Sequence, residues 1–399
     1  MIWLNTGSKK PASRMRNLKT GEGDPVANGT GPEGIALVRR RPAPEFMALM
    51  ERSMSHKLRS TAAAVVATLA LAGCQGVGQQ AAAPNTLVAV KVAAAPNMNA
   101  LAADAAWAQA KPLAVSLSDG ANFVKGETSG TLKAVYTGDT LYMLVQYKDP
   151  TDSVRRGPYQ KQADGSWKQL KDPANKGGDD NVYYEDKWAM LWSINNSIKG
   201  FEDQGCAVTC HLGQGKPYGN KYTSKPGELG DIWHAKGQRT IPVGLVDDQY
   251  VDDTRYDPQK SPNAGRKNED AQGDYTPIKL VNGKPEFMVK SGKAANAGGG
   301  YGIRRGEEVA FVDNFKAGDE VASFFMNGLK GDRADVKVAQ KWENGVITAV
   351  ASRKLVTGSK FDVQFSNLSA RYPFGFAAFD NAQVRHATTD DALFLVFGK

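Results

Sequence analysis

The sequence predicts an all-β fold: an antiparallel β-sandwich that forms a single main domain and carries long polar loop insertions. Short apolar runs recur after residue 100, Gly, Asn and Asp separate them, and segments with the 3.6-residue period of a helix are almost absent. The chain has 399 residues, 41% of them hydrophobic, which is ample for a buried core. No boundary divides the runs into two self-sufficient sets, so we expect one domain despite the length.

The predicted strands are short runs that are apolar, alternating or rich in β-branched and aromatic residues. In chain order they cover residues 113–117, 131–136, 140–147, 188–194, 309–312, 321–326, 336–342, 346–355, 361–365, 372–379 and 393–397. Thr137-Gly138-Asp139 and Glu343-Asn344-Gly345 predict tight turns between neighbouring strands. Two polar stretches, 151–182 and 252–301, are predicted as loops, and loops of this length are typical of functional or mobile segments.

Residues 54–73 have the pattern of a bacterial lipoprotein signal peptide. Lys57 and Arg59 precede an apolar run over residues 62–72, and small residues then lead to Cys74, which would be lipidated after cleavage. A short buried helix ahead of an incidental cysteine is the alternative. No apolar run reaches the roughly 20 residues of a membrane-spanning helix.

The signal peptide sets the expected organisation of the chain. Residues 1–53 are a doubtful extension, either disordered or upstream of the true start. Residues 74–99, rich in Ala, Gln, Pro and Asn, are predicted as a flexible tether, and residues 100–399 as the folded domain. A lipidated Cys74 would hold that domain at a membrane of the bacterial cell envelope, facing the periplasm. Gln75 resembles the residue that follows the lipidated cysteine in outer-membrane lipoproteins.

The net charge of +8 does not indicate nucleic-acid binding. Residues 1–73 hold 11 of the 50 basic residues and 5 of the 42 acidic ones, which leaves 39 and 37 in the mature chain. The remaining net charge, about +2, is too small for an electrostatic footprint on nucleic acid. The acidic pairs Asp179-Asp180, Asp247-Asp248 and Asp252-Asp253 are interpreted as solvated loops, with calcium binding as the alternative.

Cys206-Ala-Val-Thr-Cys210-His211 is the sharpest local signal. A c-type haem is attached by two thioethers from Cys-x-x-Cys-His, with the adjacent imidazole as iron ligand; here three residues rather than two separate the cysteines. The same cysteines could instead form a disulfide, since exported proteins meet an oxidising compartment. With His211 and His234 they could complete a Cys₂His₂ zinc site, and two unconnected loop thiols are the remaining alternative.

Further short motifs surround this hexapeptide in a defined order. They are Asp104-Ala-Ala-Trp107, Tyr147-Lys-Asp-Pro-Thr151, Tyr184-Glu-Asp-Lys-Trp-Ala-Met-Leu-Trp-Ser-Ile194, Gly230-Asp-Ile-Trp-His234, Asp247-Asp248-Gln-Tyr250, Arg353-Lys-Leu-Val-Thr-Gly358 and Phe376-Ala-Ala-Phe-Asp-Asn381, followed by His386. Over residues 100–398 this order resembles the haem-binding domain of the ethylbenzene dehydrogenase gamma subunit family. That family includes cytochrome c-552-like proteins and the haem subunits of dimethyl sulfoxide reductase-type enzymes. The resemblance implies a β-sandwich with one haem between loops at its edge.

The resemblance also bears on the iron ligands. Members that carry haem b use an axial Met and an axial Lys, at places where this chain has residues 206–211 and His386. Neither ligand matches, but both places hold a histidine, so we expect ligation by His211 and His386 with thioethers from Cys206 and Cys210. His234 and Met143 are reserve ligands, and Trp107 and Trp233 are candidates for the haem pocket. A structural role is the preferred explanation for each of these four: core packing for Met143 and the tryptophans, and a hydrogen-bonded pocket or core histidine for His234.

These observations predict an exported, lipid-anchored cytochrome that carries single electrons between redox proteins and has no catalytic activity of its own. Two strong protein ligands leave no open iron position for a substrate, which suits electron transfer. Haem c is favoured over haem b. The alternatives are a haem b-binding subunit of a molybdenum-type oxidoreductase, and a non-redox, ligand-binding sandwich with a Cys206–Cys210 disulfide.

Overall fold

The structure is a computed structural model and describes residues 83–211, 219–270 and 273–399. The signal peptide, Cys74 and the doubtful extension lie outside the described residues. The strands are β1 (Thr86–Lys91), β2 (Leu113–Leu117), β3 (Thr128–Tyr136), β4 (Thr140–Lys148), β5 (Tyr159–Lys161), β6 (Trp167–Gln169), β7 (Lys187–Ser193), β8 (Cys210–His211), β9 (Asn220–Lys221), β10 (Gly230–Lys236), β11 (Asp247–Val251), β12 (Arg266–Asn268), β13 (Gly273–Pro277), β14 (Leu280–Val281), β15 (Lys284–Pro285), β16 (Phe287–Val289), β17 (Ile303–Arg304), β18 (Glu308–Ala310), β19 (Glu320–Val321), β20 (Phe324–Leu329), β21 (Lys337–Glu343), β22 (Val346–Lys354), β23 (Tyr372–Phe379), β24 (Ala387–Thr388) and β25 (Leu393–Phe397).

Helical segments are short. One α-helix, α1, covers Phe201–Gln204, and 3₁₀ segments cover Met98–Ala103, Ala105–Ala108, Val124–Gly126, Ile194–Asn196, Gly205–Thr209, Ile241–Val243, Ala295–Ala297 and Gly331–Ala334. No helix among the described residues is long and apolar enough to cross a membrane. The predicted all-β class is confirmed.

One large curled sheet organises the molecule. Its strand order is β12-β11-β10-β7-β23-β25-β1-β3-β4-β22-β21, with β2 added to β3 and β24 to β23. The neighbours are antiparallel except for β1, which runs parallel to both β25 and β3. The sheet curls until Val338 of β21 donates its backbone N–H to Gly244, just ahead of β11, at 3.0 Å. The last strand of the sheet, β21, therefore meets the segment that leads into β11, and the inner face becomes the core.

The inner face is filled by aromatic side chains. Trp188, Trp192 and Trp233 are fully buried there. The Trp192 ring lies 5.4 Å from Trp233 and stacks on Phe374 at 4.5 Å. Aromatic pairs at these distances stabilise a core beyond their area burial. These tryptophans, Trp233 included, are therefore core residues of the sandwich.

Both predicted tight turns are confirmed. Thr137 donates its N–H to the Thr140 carbonyl at 2.9 Å and closes the β3–β4 hairpin. Between β21 and β22, Asn344 and Gly345 have φ of 52° and 78°. A two-residue hairpin of this kind needs the left-handed region at both positions, which Asn and Gly adopt most readily.

Three predictions about strands and loops were wrong. The tether to residue 99 contains β1, whose Leu87 and Ala89 are fully buried between β25 and β3. Residues 361–365 form no strand. The Val363 N–H donates to the Asp231 carboxylate and the Phe365 N–H donates to the Leu355 carbonyl, so neither pairs with a neighbouring strand. The polar stretches 151–182 and 252–301 carry short strands that form small sheets of their own or extend the main one.

Candidate functional site

The outer face of β23, β7 and β10 positions the residues that the sequence singled out. Register pairs Gly375 with Leu191, and Ala377 with Ala189, and Ala189 in turn with His234. Residues opposite one another in a sheet share a face. The side chains of this face are small in the middle of β23, at Gly375 and Ala377, so the segments that cover these positions lie close to the backbone. We call this surface the outer face.

Cys206 packs directly on the outer face. It lies in the 3₁₀ segment Gly205–Thr209, and a Cβ placed on Gly375 would stand 2.8 Å from the Cys206 Cβ and 3.0 Å from its Sγ. The thiol also lies 3.3 Å from the Thr388 hydroxyl of β24. Burial raises the pKa of this thiol, although Lys221 opposes the effect. Cys206 is therefore a neutral thiol at neutral pH.

Cys210 is exposed and contacts a lysine. The Lys221 ammonium donates to the Cys210 Sγ at 3.2 Å and to the Thr209 hydroxyl at 3.1 Å. Burial would lower the pKa of Lys221, but Cys210 and Cys206 outweigh it and raise that pKa. The two thiols are not bonded to each other, so the disulfide that the sequence left as an alternative is not formed in this structure.

His211 follows Cys210 in the two-stranded ladder of β8 and β9. Its ring stacks on Tyr222 at 3.6 Å, and its Nε2 lies 3.1 Å from the Tyr222 carbonyl oxygen. A carbonyl only accepts, so Nε2 must carry the proton and donate it. In this conformation the lone pair of His211 is therefore on Nδ1 and not on Nε2.

His386 lies beside the cysteine motif. It precedes β24, whose Thr388 touches Cys206. The His386 Nδ1 donates to the Val384 carbonyl at 2.9 Å, which leaves Nε2 unprotonated. Burial lowers the pKa of His386 to about 4, and the charge of Lys221 adds to that shift. His386 is thus a neutral imidazole with its Nε2 lone pair available.

His234 presents the same arrangement from β10. Its Nδ1 lies 3.3 Å from the Gln249 Oε1, which also accepts from Arg266 and so is the oxygen of that amide. The His234 Nε2 is buried and has no hydrogen-bond partner. Burial holds the pKa of His234 well below its usual value, with Lys236 and Lys187 adding to the shift.

Phe379 connects the two available imidazoles. Its ring centroid lies 5.8 Å from that of His234 and 4.8 Å from that of His386. The Lys187 ammonium stands 3.9 Å from the same centroid. Both histidines therefore border one aromatic side chain at the end of β23.

The other predicted site residues lie elsewhere. Trp107 belongs to a separate cluster with Val135, Leu144 and Val350, and its Nε1 donates to the Leu101 carbonyl. Met143 is fully buried in the main core. The Cys₂His₂ zinc alternative finds no support among the described residues, whose groups of three or more clustered ligand atoms include no cysteine and no histidine.

The acidic pairs differ from the solvated loops that were predicted. Asp247 and Asp248 are both fully buried in β11, and they face opposite sides of the sheet. Asp179 accepts from Arg385 at 2.6 Å. Asp252 is half-buried and pairs with Lys267.

A cavity of about 430 Å³ lies apart from the motif. It is lined by polar groups, including those of Asp172, Asp180, Tyr184 and Gln383. Neither cysteine of the motif lines it, nor does His211, His234 or His386. A ligand in this cavity would therefore not touch the candidate iron ligands.

Lys221, Phe379 and Gln249 are site residues that sequence reasoning missed. Phe379 stands in the Phe376–Asn381 motif that carried the family resemblance, so a signal for it existed. Gln249 is flanked by Asp248 and Tyr250 of another such motif. Lys221 follows ten residues after the motif without any pattern, and only the β8–β9 pairing brings it to Cys210.

Comparison with family models decides the membership of the chain. The model described as ethylbenzene dehydrogenase matches residues 104–390. The chain belongs to the ethylbenzene dehydrogenase family. The expected family resemblance is therefore confirmed, and in this member the match includes the outer face, the cysteine motif and all three histidines discussed above.

Other comparisons add only weak likenesses for this member of the ethylbenzene dehydrogenase family. A search of curated proteins finds no match. Among solved structures, a carbohydrate binding module family 9 from Caldicellulosiruptor kristjanssonii in complex with glucose is 10% identical, covering 78% of this chain and 95% of that one, with a TM-score of 0.29. The same module in complex with cellotriose is 10% identical, covering 79% and 95%, with a TM-score of 0.28.

Proposed function

We propose that this chain is an exported, lipid-anchored cytochrome that binds one haem, attached through Cys206 and Cys210, and carries single electrons between redox proteins. The observation that carries the proposal is the outer face, where the cysteine motif, His386 and His234 lie together over β23, β7 and β10. Membership of the ethylbenzene dehydrogenase family supports haem binding and an accessory, non-catalytic role.

The donor set suits haem iron. Iron takes neutral imidazole nitrogen, and an axial histidine usually donates its other N–H to a carbonyl or amide oxygen, which fixes the ring and raises its basicity. His386 and His234 both show this hydrogen bond from Nδ1. The buried, unpartnered Nε2 of His234 is what a missing metal bond would leave behind. When bound, haem supplies one-electron exchange at its iron.

We propose that His386 and His234 would hold the haem iron in the fold described, rather than the sequence-predicted pair His386 and His211. His211 would first have to break the hydrogen bond from its Nε2 to Tyr222 and leave its stack on that ring. Spectra of three alanine variants test the assignment. His386→Ala and His234→Ala should each change the Soret band, whereas His211→Ala should not. A changed Soret band in His211→Ala, together with an unchanged band in His234→Ala, would show that His211 and not His234 binds the iron.

Covalent attachment through Cys206 and Cys210 needs a separate experiment. The protein is purified from a host that matures c-type cytochromes, denatured and extracted with acidified solvent. Haem should stay with the polypeptide, and the variant Cys206→Ser/Cys210→Ser should release it. Haem leaving the unmodified chain would favour the haem b-binding subunit, and absence of any Soret band would contradict the cytochrome proposal.

The lipid anchor at Cys74 would confine the cytochrome to a membrane surface of the periplasm, with the outer membrane favoured. Stable anchoring needs more than one acyl chain, as bacterial lipoproteins carry. Labelled palmitate should enter the unmodified protein and not Cys74→Ala. Equal labelling of both would contradict the anchor.

A further inference from the structure

A second group of chemically active side chains lies on the opposite, inner face of the sheet. Asp231, Asp248, Glu269 and Asp362 each place a carboxylate oxygen within 4.8 Å of those of the other three. We call these four residues the acidic cluster. Asp231 stands opposite Trp192, and Asp248 opposite Trp233, so both face the core. Glu269 follows β12, and Asp362 lies between β22 and β23.

The charge of the acidic cluster is not balanced by protein. Arg353 of β22 donates to Asp231 at 2.7 Å and lies 3.5 Å from Asp362, and these are the only ion pairs of the four acids within the described residues. Asp335 adds a further carboxyl group that interacts with Asp362 and Arg353. Within the described residues, one guanidinium therefore faces five carboxyl groups, of which those of Asp231, Asp248 and Asp362 are fully buried.

Asp248 provides an observation independent of the clustering. Its side chain is fully buried, and no N–H group donates a hydrogen bond to either carboxylate oxygen; its hydrogen-bonding neighbour is another carboxyl group, that of Asp335. Both oxygens of Glu269 and the Oδ1 of Asp231 are also unpartnered. A buried, ionised carboxylate without a partner costs several kcal/mol, and such groups in native proteins usually mark an ion or a water. The unpartnered oxygens point to a bound cation.

We propose that Asp231, Asp248, Glu269 and Asp362 bind one calcium ion. Calcium takes six to eight oxygen ligands at about 2.3–2.6 Å, so oxygens around one ion lie up to about 5 Å apart, as they do here. A site made only of carboxylates does not favour zinc or copper, because these metals prefer nitrogen and sulfur ligands. Magnesium keeps several waters, which a site with three fully buried acids does not accommodate well.

The ion joins parts of the fold that are distant along the chain. Its ligands come from β10, β11, the segment after β12 and the segment before β23, and Arg353 links the same group to β22. Calcium binding should weaken as the pH falls, because a carboxyl group must be deprotonated to bind the ion.

Calcium content and thermal stability test the proposal on the purified, haem-loaded protein. The protein should contain about one calcium per chain. Chelator should lower Tm, and added calcium should restore it. Terbium in place of calcium should emit when Trp192 and Trp233 are excited, and calcium should quench that emission by displacement. No calcium in the purified protein, together with no effect of chelator and no terbium emission, would overturn the proposal.

Variants locate the ion. Glu269→Gln should lower calcium affinity at least about tenfold without loss of fold, because this side chain is only half-buried and accepts no hydrogen bond from an N–H group. Asp139→Asn, at the exposed β3–β4 turn, is the matched control and should leave affinity unchanged. A second acidic group, Asp149, Asp186 and Asp380, is the competing location. Calcium lost in Asp186→Asn and kept in Glu269→Gln would overturn the assignment.

Discussion

The contact between Cys206 and β23 can be tested with one methyl group. Gly375→Ala places a Cβ 2.8 Å from the Cys206 Cβ, 3.0 Å from its Sγ and 3.2 Å from its backbone nitrogen. Ordinary carbon contacts begin near 3.5 Å, so the segment Gly205–Thr209 must move outward by roughly 0.5–1 Å. Overpacking of this kind costs about 1–3 kcal/mol. The shift would also move the thiol away from Thr388.

Gly138→Ala is the matched control, because a Cβ there meets nothing within 4 Å. The assay is denaturant unfolding of haem-free protein, compared through the midpoint and its slope. Gly375→Ala should lose about 1–3 kcal/mol of unfolding free energy, and Gly138→Ala less than about 0.5 kcal/mol. Equal stability of the two variants would show that Cys206 does not pack on β23. It would thereby contradict the described packing of the cysteine motif on the outer face.

Three further predictions concern the rest of the fold. Leu87→Ala should lower the free energy of unfolding by about 2–5 kcal/mol, measured by denaturant unfolding. Val88→Ala, on the other side of β1, should lower it clearly less, because only Leu87 is fully buried. Equal losses of stability would contradict the burial of β1 in the core. Arg353→Met should lower the free energy of unfolding by about 3–5 kcal/mol, because it leaves buried acids unpaired. Lys341→Met, whose partner Glu343 is exposed, should lower it by less than about 1 kcal/mol. An Arg353→Met variant as stable as the unmodified protein would contradict the buried ion pairs. Burial would raise the pKa of Asp247, but Lys236 and Arg333 outweigh burial and hold this pKa at about 2. The ionised carboxylate therefore contributes about 2 kcal/mol of stability above about pH 4, and this contribution is lost as the pH falls through 2. The stability difference between the unmodified protein and Asp247→Asn should shrink over that interval, and a constant difference would refute the ion pairs.

Much of the fold could be predicted because its signals are local. The β3–β4 and β21–β22 hairpins follow from alternating runs and turn residues that need no distant partner. β1 could not be recognised in the same way, since Ala-rich sequence flanks it on both sides and its short alternation becomes meaningful only between β25 and β3. Residues 361–365 look like a strand, but the carboxylate of Asp231, 132 residues away, takes a backbone N–H there.

The candidate site was predictable in its residue types and not in its protonation. The cysteine motif and His386 stand out in a chain with few cysteines and histidines. Which ring nitrogen carries the proton depends on carbonyl and amide oxygens that the fold supplies, from Tyr222, Val384 and Gln249. The acidic cluster could not be predicted either, because Asp362 lies 131 residues after Asp231 in the chain and only the curled sheet brings them together.

The pyridine haemochrome spectrum of the protein, purified from a host that matures c-type cytochromes, tests the central claim most directly. This spectrum distinguishes haem with thioether-linked side chains from haem with free vinyl groups, and its intensity gives the number of haems per chain. We predict the spectrum of haem c at about one haem per chain. A haem b spectrum would contradict attachment through Cys206 and Cys210, and a spectrum without haem would contradict the assignment of this family member as a cytochrome.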